Sequence, residues 1–470
     1  MIMTRNVKFA MTILLAIVVA GGTTSCKKKG CTDATATNYD SEAEKDDGTC
    51  EYPQDETLTS QSDGLASFEG YANNKYTMTA DRTYILDGLV FVNEGQTLEI
   101  EPGTVIKGKP TTGGVASALV VARGATIIAE GTASNPIIFT AESDDLTSSS
   151  DLGPGDVGLW GGVIILGNAE IGVEGSTEAG IEGIDDSETR AKFGGTNNSD
   201  NSGTFKYVSI RHCGAELSPG DEIQSLSLGG VGSATDIAYI DVFASSDDGI
   251  EIFGGTVDLD HVSIAWAEDD GLDLDNGWKG TCSELFIVQR SDDGDHLGEW
   301  DGAKPDANPI YTQATVANAT MMGAGDGGKA ILIRDGGVVS INNSIIWRQD
   351  GVGIEVEDKD EIGVDSYYKI VTDNQGTFNN NTWAIGTGNS LASIIEPTGG
   401  TVDSTAAGLQ QILTDDGNTV VDASSVGLTY SETADATLDP FSPSVSGGAF
   451  TGGNWLQGWS ALSTLGYLSE

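Results

Sequence analysis

The chain has 470 residues, and its 71 acidic and 23 basic side chains give a formal net charge of -48. So acidic a surface repels phosphate groups, which argues against nucleic acid as a partner. Its 64 glycines are roughly twice the usual share of about 7%, and a repetitive β fold with many tight turns accommodates both this glycine content and the length in one unit.

The N-terminus has the features of an export signal over residues 1–25. Arg5 and Lys8 precede an apolar run that is too short to span a bilayer permanently. Small residues then stand directly before Cys26, an arrangement that resembles the lipobox of bacterial lipoproteins. The resemblance implies cleavage before Cys26 and acylation of that residue, for example with palmitate; the alternative is an ordinary secretory signal with an incidental cysteine. We therefore expect a membrane anchor at Cys26 and an outer-membrane location at the cell surface, with the periplasmic leaflet as the alternative.

A second short unit is predicted for residues 26–54. Cys31 and Cys50 enclose a segment that resembles a cysteine-clipped module of exported Bacteroidetes proteins. So small a segment cannot bury a core of its own, and the resemblance therefore implies a disulfide between Cys31 and Cys50 in an oxidising compartment. Its acidic turn at residues 46–48 lacks the alternating aspartates of an EF-hand loop, so we interpret the module as a spacer and keep Ca²⁺ binding there as the alternative. Residues 55–80 are polar and are predicted to form a linker.

Internal repetition marks residues 81–445. The sequence Asp-Asp-Gly recurs at residues 247–249, 269–271 and 292–294, at intervals of 22 and 23 residues. Short runs rich in β-branched and aromatic residues precede the copies, as expected for strands. This period is too short for a pair of helices but suits one coil of a parallel β-helix, in which coils stack about 4.8 Å apart. One coil cannot bury its inner face alone, so several must stack.

From about residue 83 onward the chain resembles Bacteroidetes β-helix lipoproteins with the pectin-lyase-like fold. The resemblance is carried by a Glu-Pro-Gly-Thr turn, an Asn-Pro-Ile-Ile-Phe-Thr strand, a Trp-Gly-Gly turn and the Asp-Asp-Gly coils. It implies an all-β, right-handed parallel β-helix with coils of about 22–23 residues, an irregular N-terminal segment and a C-terminal cap at residues 446–470. It carries no activity over to this chain. One short helix is predicted at Ala406–Leu413.

The Asp-Asp-Gly turns are predicted to stack, which places like charges about 4.8 Å apart with a repulsion of ~3 kcal/mol at an effective dielectric of about 20. Such a ladder either points into water as a solvated acidic rim or takes up cations. Ca²⁺ suits it, because Ca²⁺ takes about six to eight oxygen ligands. The residues predicted to hold Ca²⁺ are the paired aspartates of the three turns, namely Asp247, Asp248, Asp269, Asp270, Asp292 and Asp293.

A second set of carboxylates follows these turns, at Glu251, Asp273, Asp275, Asp295 and Glu299. Asp295 and His296 interrupt the apolar-acidic alternation after the third turn, and such a break in a repeat is where a grafted site is most plausible. A coil edge or an insertion boundary explains the same break. For an enzyme, we expect the reaction to be carried by Asp295, His296, Glu299 and Arg290, either as a paired-carboxylate glycoside hydrolase or as a Ca²⁺-dependent polysaccharide lyase.

Other conspicuous residues have simpler explanations. Cys213 and Cys282 lie about three coils, or about 14 Å, apart, which exceeds disulfide reach, so we expect two separate thiols. His261 alternates within a strand and is interpreted as a surface ladder residue, and His212 lacks a second Cys/His pair for zinc. The glycine-rich segment 323–330 lacks the Ser/Thr and the strand-loop-helix context of a P-loop, so no nucleotide is expected.

We expect a non-catalytic cell-envelope lipoprotein that binds carbohydrate or an envelope protein, possessing no cofactor except Ca²⁺. The alternatives are a polysaccharide lyase or glycoside hydrolase of the pectate-lyase type and an accessory subunit of an outer-membrane complex. A β-helix supports all three, because function depends on the site and not on the fold. The tryptophans offer either a sugar-stacking platform or, more simply, packing at coil corners; they are Trp160, Trp266, Trp278, Trp300 and Trp347.

Overall fold

The chain divides into two compact units, residues 1–53 and 54–470. The computed structural model describes residues 27–34, 36–51, 54–110, 116–146, 151–218, 221–290, 293–323, 329–347, 351–385, 390–396, 406–431, 437–441 and 443–469. The export signal and Cys26 lie outside these residues.

The first unit is a small clipped module. Its strands Lys29–Gly30 and Lys45–Asp46 pair in parallel. Cys31 and Cys50 form a disulfide with their Cα atoms 4.7 Å apart, which confirms the predicted pairing. Lys28 Nζ adds ion pairs of 2.9 and 2.8 Å to Asp40 and Glu42.

The second unit is built on two long sheets in which every strand pairing is parallel. Among the described residues, the larger sheet has 17 strands: Glu56–Thr59, Lys75–Met78, Thr83–Asp87, Thr97–Ile100, Val105–Gly108, Thr126–Glu130, Ile137–Ala141, Gly203–Cys213, Asp236–Ser245, Leu259–Ala267, Thr281–Val288, Gln313–Ala317, Thr320–Met322, Val338–Asn342, Ile345–Trp347, Thr382–Ala384 and Thr419–Val420. The smaller sheet has ten in the same part of the chain: Leu89–Val92, Ala118–Val121, Val163–Leu166, Leu226–Val231, Ile250–Gly255, Leu272–Asp275, Gly298–Asp301, Lys329–Arg334, Val352–Val356 and Ile395–Glu396.

Alternation along each strand separates a core from an outer face. Ile250 and Ile252 are fully buried, and their register partners in the next coil, Leu272 and Leu274, are buried as well. Because successive side chains of a strand point to opposite faces, Glu251 between them points outward. The stacked apolar columns form one continuous core inside the coils. The predicted right-handed parallel β-helix is therefore confirmed.

The regular coil length holds only in part of the solenoid. Ile250 pairs with Leu272, 22 residues further on, whereas Val163 pairs with Leu226, 63 residues further on. The long interval contains an excursion of residues 167–202, between the strands Val163–Leu166 and Gly203–Cys213. Such excursions lengthen a coil without disturbing the stacked strands.

Helices are short in the described part of the chain. The α-helices are Leu391–Ile394, Ala407–Asp415 and Ala461–Thr464; the 3₁₀ turns are Gly64–Ser67, Thr189–Ala191 and Ala423–Ser425, and a π turn covers Tyr368–Thr372. The predicted helix at Ala406–Leu413 is confirmed, one residue later at its start. The described residues also form three antiparallel strand pairs: Ala179–Gly180 with Lys192–Phe193, Glu216–Ser218 with Asp221–Glu222, and Thr429–Ser431 with Thr437–Asp439.

The C-terminal segment packs across the outer face of the larger sheet. The rings of Phe450 and Phe286 lie 5.3 Å apart, and the N–H of Ala461 donates a 2.8 Å hydrogen bond to Asp241 Oδ2. Asp241 is fully buried there. The segment therefore covers part of the outer face of the larger sheet.

Candidate metal centre

The outer face of the ten-stranded sheet changes character along the solenoid. Toward its N-terminal end, Ile164 and Leu166 are fully buried and pack in one cluster with Ile181 and Phe193 of the excursion 167–202. Further on, the outward positions and the turns before them carry charged side chains. We call this set the acidic column; it consists of Asp247, Asp248, Glu251, Asp269, Asp270, Asp273, Asp295, His296 and Glu299.

The Asp-Asp-Gly motif has a structural explanation in these turns. Asp248 Oδ1 accepts a 2.9 Å hydrogen bond from the N–H of Asp270, and Asp270 Oδ1 accepts one of 2.6 Å from the N–H of His296. A Cβ at Gly249 would lie 2.2 Å from Cγ2 of Ile264. The second aspartate therefore links a coil to the next one, and the glycine is required where the turn touches the core.

The third coil departs from the predicted register. Leu272 pairs with Gly298, so the position of Asp270 is taken in the next coil by His296. The predicted equivalence of Asp293 with Asp248 and Asp270 is therefore wrong. Asp293 is exposed, and Asp292 lies outside the described residues.

The cause is a longer turn. Ala265 pairs with Val288 on the larger sheet, and Leu272 pairs with Gly298 on the smaller one. Seven residues thus lead from Ala265 to Leu272, whereas ten lead from Val288 to Gly298. The third Asp-Asp-Gly falls in this longer turn, and Asp295-His296 takes the place of the paired aspartates.

Three carboxylates meet at the centre of the acidic column. Glu251 and Asp273 are register partners, and Asp248 lies in the turn before Glu251. One oxygen from each of the three lies within 4.8 Å of the other two. Glu251 is only 5% exposed, and its Oε2 and Asp273 Oδ1 are buried without a hydrogen-bond partner. Burial, reinforced by the neighbouring carboxylates, holds the pKa of each of the three well above its usual range.

The outer edge of the column is also crowded with acids. Asp247, Asp248 and Asp269 likewise offer oxygens within 4.8 Å of one another. Burial and then the charge of Asp269 raise the pKa of Asp247 to about 7. Four of the six aspartates predicted to hold Ca²⁺ thus lie in the column, and Asp248 belongs to both groups of three.

The far end of the column has basic side chains beside its carboxylates. His296 Nδ1 lies 3.1 Å from Asp270 Oδ1 and 3.5 Å from Glu299 Oε2. Burial alone would lower the pKa of His296, but its hydrogen bond to Asp270 and the surrounding carboxylates raise it above its usual value. Arg334 pairs with Glu299 and lies 2.7 Å from Asp301 Oδ1.

The centre of the column has no such basic partner among the described residues. Among the described residues, none of the basic side chains forms an ion pair with Asp248, Glu251 or Asp273. A buried charge without a partner is costly, so these carboxylates either stay protonated or require a cation from outside. Carboxylate oxygens in this number are ligands that Ca²⁺ prefers.

The residues predicted for catalysis are only partly brought together. Asp295, His296 and Glu299 lie within one cluster, with His296 Nδ1 3.5 Å from both carboxylates. Arg290 points elsewhere: its Nη1 donates to Pro154 O at 3.3 Å and lies 3.8 Å from Glu268. Arg334 takes the place beside Glu299, because its strand is the register neighbour of the Glu299 strand.

The structure shows where most of the remaining conspicuous residues lie. Cys213 and Cys282 are separate buried thiols. His261 stacks on Tyr239, with centroids 4.4 Å apart, in a ladder on the larger sheet. His212 is buried, with Nδ1 2.6 Å from Asp156 O. All five tryptophans are at most 6% exposed and pack in the core or beneath the C-terminal segment, so they form no platform. Most of segment 323–330 lies outside the described residues.

The family model described as pectate-lyase like beta helix domain matches residues 70–419, about three quarters of the chain. The chain belongs to this family of parallel β-helix proteins. No curated protein and no solved structure matches it. Within the described residues, we find no helix long and apolar enough to cross a membrane.

Proposed function

We propose that this protein binds Ca²⁺ at Asp248, Glu251 and Asp273 and uses the cation to bind carbohydrate, without catalysis, at the outer membrane. The observation that carries the proposal is the pair of buried oxygens, Glu251 Oε2 and Asp273 Oδ1, that lack any partner. A cation between them satisfies both atoms and removes the mutual repulsion of the three carboxylates.

The choice of Ca²⁺ follows from the geometry of the site. Ca²⁺ accepts about six to eight oxygens in flexible arrangements, whereas Mg²⁺ demands a tight octahedron and retains its waters. Three carboxylates from two coils supply part of that number, and positions remain for hydroxyl groups of a bound sugar. We infer carbohydrate because vicinal hydroxyls are neutral oxygen donors that an acidic surface does not repel.

The cellular location of the protein is part of the proposal. Small residues before Cys26 and the basic cluster Lys27-Lys28-Lys29 support a lipid anchor. The Cys31–Cys50 disulfide supports an oxidising compartment outside the cytoplasm. With the module of residues 27–51 as a spacer, the β-helix would be held near the membrane surface.

A hydrolase or lyase is the second candidate, and Glu299 favours it. Burial and the charge of Asp270 raise the pKa of Glu299 to about 7, which suits a general acid near neutral pH. Oxygens of Asp270, Asp273 and Glu299 lie within 4.8 Å of one another, and glycosidases likewise use a pair of neighbouring carboxyl groups. Against it, Arg334 already pairs with Glu299.

The test is a glycan array probed with the mature protein in Ca²⁺ and in EDTA, combined with an assay for released reducing ends. We expect glycan binding that requires Ca²⁺, no release of sugar, and loss of binding in Glu251→Gln but not in the matched variant Asp293→Asn. Release of reducing ends that is abolished by Glu299→Gln would instead support the enzyme.

A further inference from the structure

The excursion 167–202 brings a short tip to the edge of the acidic column. The tip is Ala179–Asp186, and its Ile181 is 2% exposed in a cluster with Ile223. Gly183 has a φ of +72°, and a Cβ there would lie 2.5 Å from the carbonyl oxygen of Glu222. The tip is thus held in close contact with the chain that leads into the strand Leu226–Val231.

This contact places the Glu182 carboxylate beside the column. Gln224 Nε2 lies 3.5 Å from Glu182 Oε2, and Gln224 Oε1 accepts a 2.8 Å hydrogen bond from Ser227 Oγ, which orients the amide. Leu226 pairs with Ile250, so Gln224 is the register neighbour of Asp248 one coil earlier. Glu182 therefore stands at the N-terminal end of the same line of turns.

The position of Glu182 adds a negative charge beside the carboxylates of the acidic column, which already repel one another. Without a cation, this carboxylate and the column repel each other, and the tip is held by the apolar contacts of Ile181, the contact of Gln224 with Glu182 and the pairing of Ala179–Gly180 with Lys192–Phe193. With a cation, the same carboxylate becomes an available ligand, because a site of three carboxylates has oxygen positions to fill.

We propose that Glu182 is a further ligand of the cation, so that Ca²⁺ binding fastens the tip Ala179–Asp186 onto the acidic column. This inference rests on the proposed function, since it requires a cation at Asp248, Glu251 and Asp273. It makes the edge of the binding surface dependent on Ca²⁺, and it joins the excursion to the coils that bind the ligand.

The experiment combines calorimetric titration with hydrogen exchange on the mature chain, with Ca²⁺ as the only added ligand. The variant is Glu182→Gln, and the matched control is Glu174→Gln, an exposed glutamate of the same excursion. We expect Glu182→Gln to weaken Ca²⁺ binding by roughly tenfold or more, since even groups that only support a metal ligand contribute about 10–100-fold to affinity. In the wild type and in Glu174→Gln, Ca²⁺ should slow amide exchange across the tip.

Each outcome decides a different point. Wild-type affinity in Glu182→Gln, or Ca²⁺ protection of the strands but not of the tip, would overturn the role of Glu182 and leave the Ca²⁺ site standing. Absence of Ca²⁺ binding in the wild type would overturn the site itself, and the inference about Glu182 with it.

Discussion

His296 occupies, in its coil, the register position that Asp270 occupies in the coil before, and its N–H donates a 2.6 Å hydrogen bond to Asp270 Oδ1. This exchange of an aspartate for a histidine marks the point where basic side chains begin to lie beside the carboxylates. Beyond it, Arg334 pairs with Glu299 and Asp301. Before it, Asp248, Glu251 and Asp273 have no basic partner among the described residues.

The first prediction concerns thermal stability in different salts. A ligand that binds only the folded state at 100 times its dissociation constant stabilises by about 2.7 kcal/mol. Ca²⁺ should therefore raise the melting temperature more than Mg²⁺ or NaCl at matched ionic strength. Glu251→Gln and Asp273→Asn should remove the Ca²⁺-specific part, and Asp293→Asn should not. Equal melting temperatures in all salts would mean that the column is only a screened acidic surface.

The second prediction concerns pH in the absence of metal. The folded-state pKa of Asp247 is raised to about 7, so the folded protein binds more protons than the unfolded chain between about pH 4 and pH 7. The stability that this site contributes is present at low pH and is lost as pH rises through about 7. Asp247→Asn should thus be more stable than the wild type at pH 8 in EDTA, and this advantage should vanish near pH 4.

Ca²⁺ should reduce that difference at pH 8, because a cation held by the neighbouring Asp248 offsets the repulsion between Asp247 and the other carboxylates. Denaturant titrations of the wild type and of Asp247→Asn at pH 4 and pH 8, with EDTA and with Ca²⁺, measure these differences in the free energy of unfolding. A difference that does not change with pH would contradict the raised pKa.

The third prediction tests the structural account of the Asp-Asp-Gly motif. Gly249→Ala places a Cβ 2.2 Å from Cγ2 of Ile264, and overpacking of this kind typically costs about 1–3 kcal/mol. Gly452 has open space around its Cβ position, so Gly452→Ala should leave the free energy of unfolding nearly unchanged. Chemical denaturation compares the two, and equal stabilities would show that the glycine is not needed for packing.

The fourth prediction concerns the anchor. Cys26→Ala should release the protein from membranes, because lipidation requires that cysteine, and mass spectrometry of the native protein should find acylated Cys26 as its first residue. Recovery of an unmodified N-terminus would argue for an ordinary secretory signal.

The sequence was informative where the repeat is regular. The spacing of 22 residues between Asp247 and Asp269 predicts stacked coils, and the structure has the strands Ile250–Gly255 and Leu272–Asp275 as neighbours. The register of the third coil could not be predicted from the spacing of the motif. Three extra residues before Gly298 shift the register, and the motif at residues 292–294 looks the same whether or not it lies in the ladder.

The site was harder to predict from the sequence than the fold. Glu251 and Asp273 are recognisable as outward acids in alternating strands, but their burial depends on neighbouring coils. Glu182 carries no signal in the sequence, because nothing in an excursion of this length indicates which residue returns to the coils. Asp248 and Asp270 also have a structural role as hydrogen-bond acceptors, which a motif alone does not separate from metal binding.

The measurement that tests the central claim most directly is an anomalous difference map from crystals grown in Ca²⁺. We predict a peak between Asp248, Glu251 and Asp273, with carboxylate oxygens at about 2.3–2.6 Å. A map without a peak there, with Glu251 and Asp273 instead sharing a proton in a short hydrogen bond, would contradict the account.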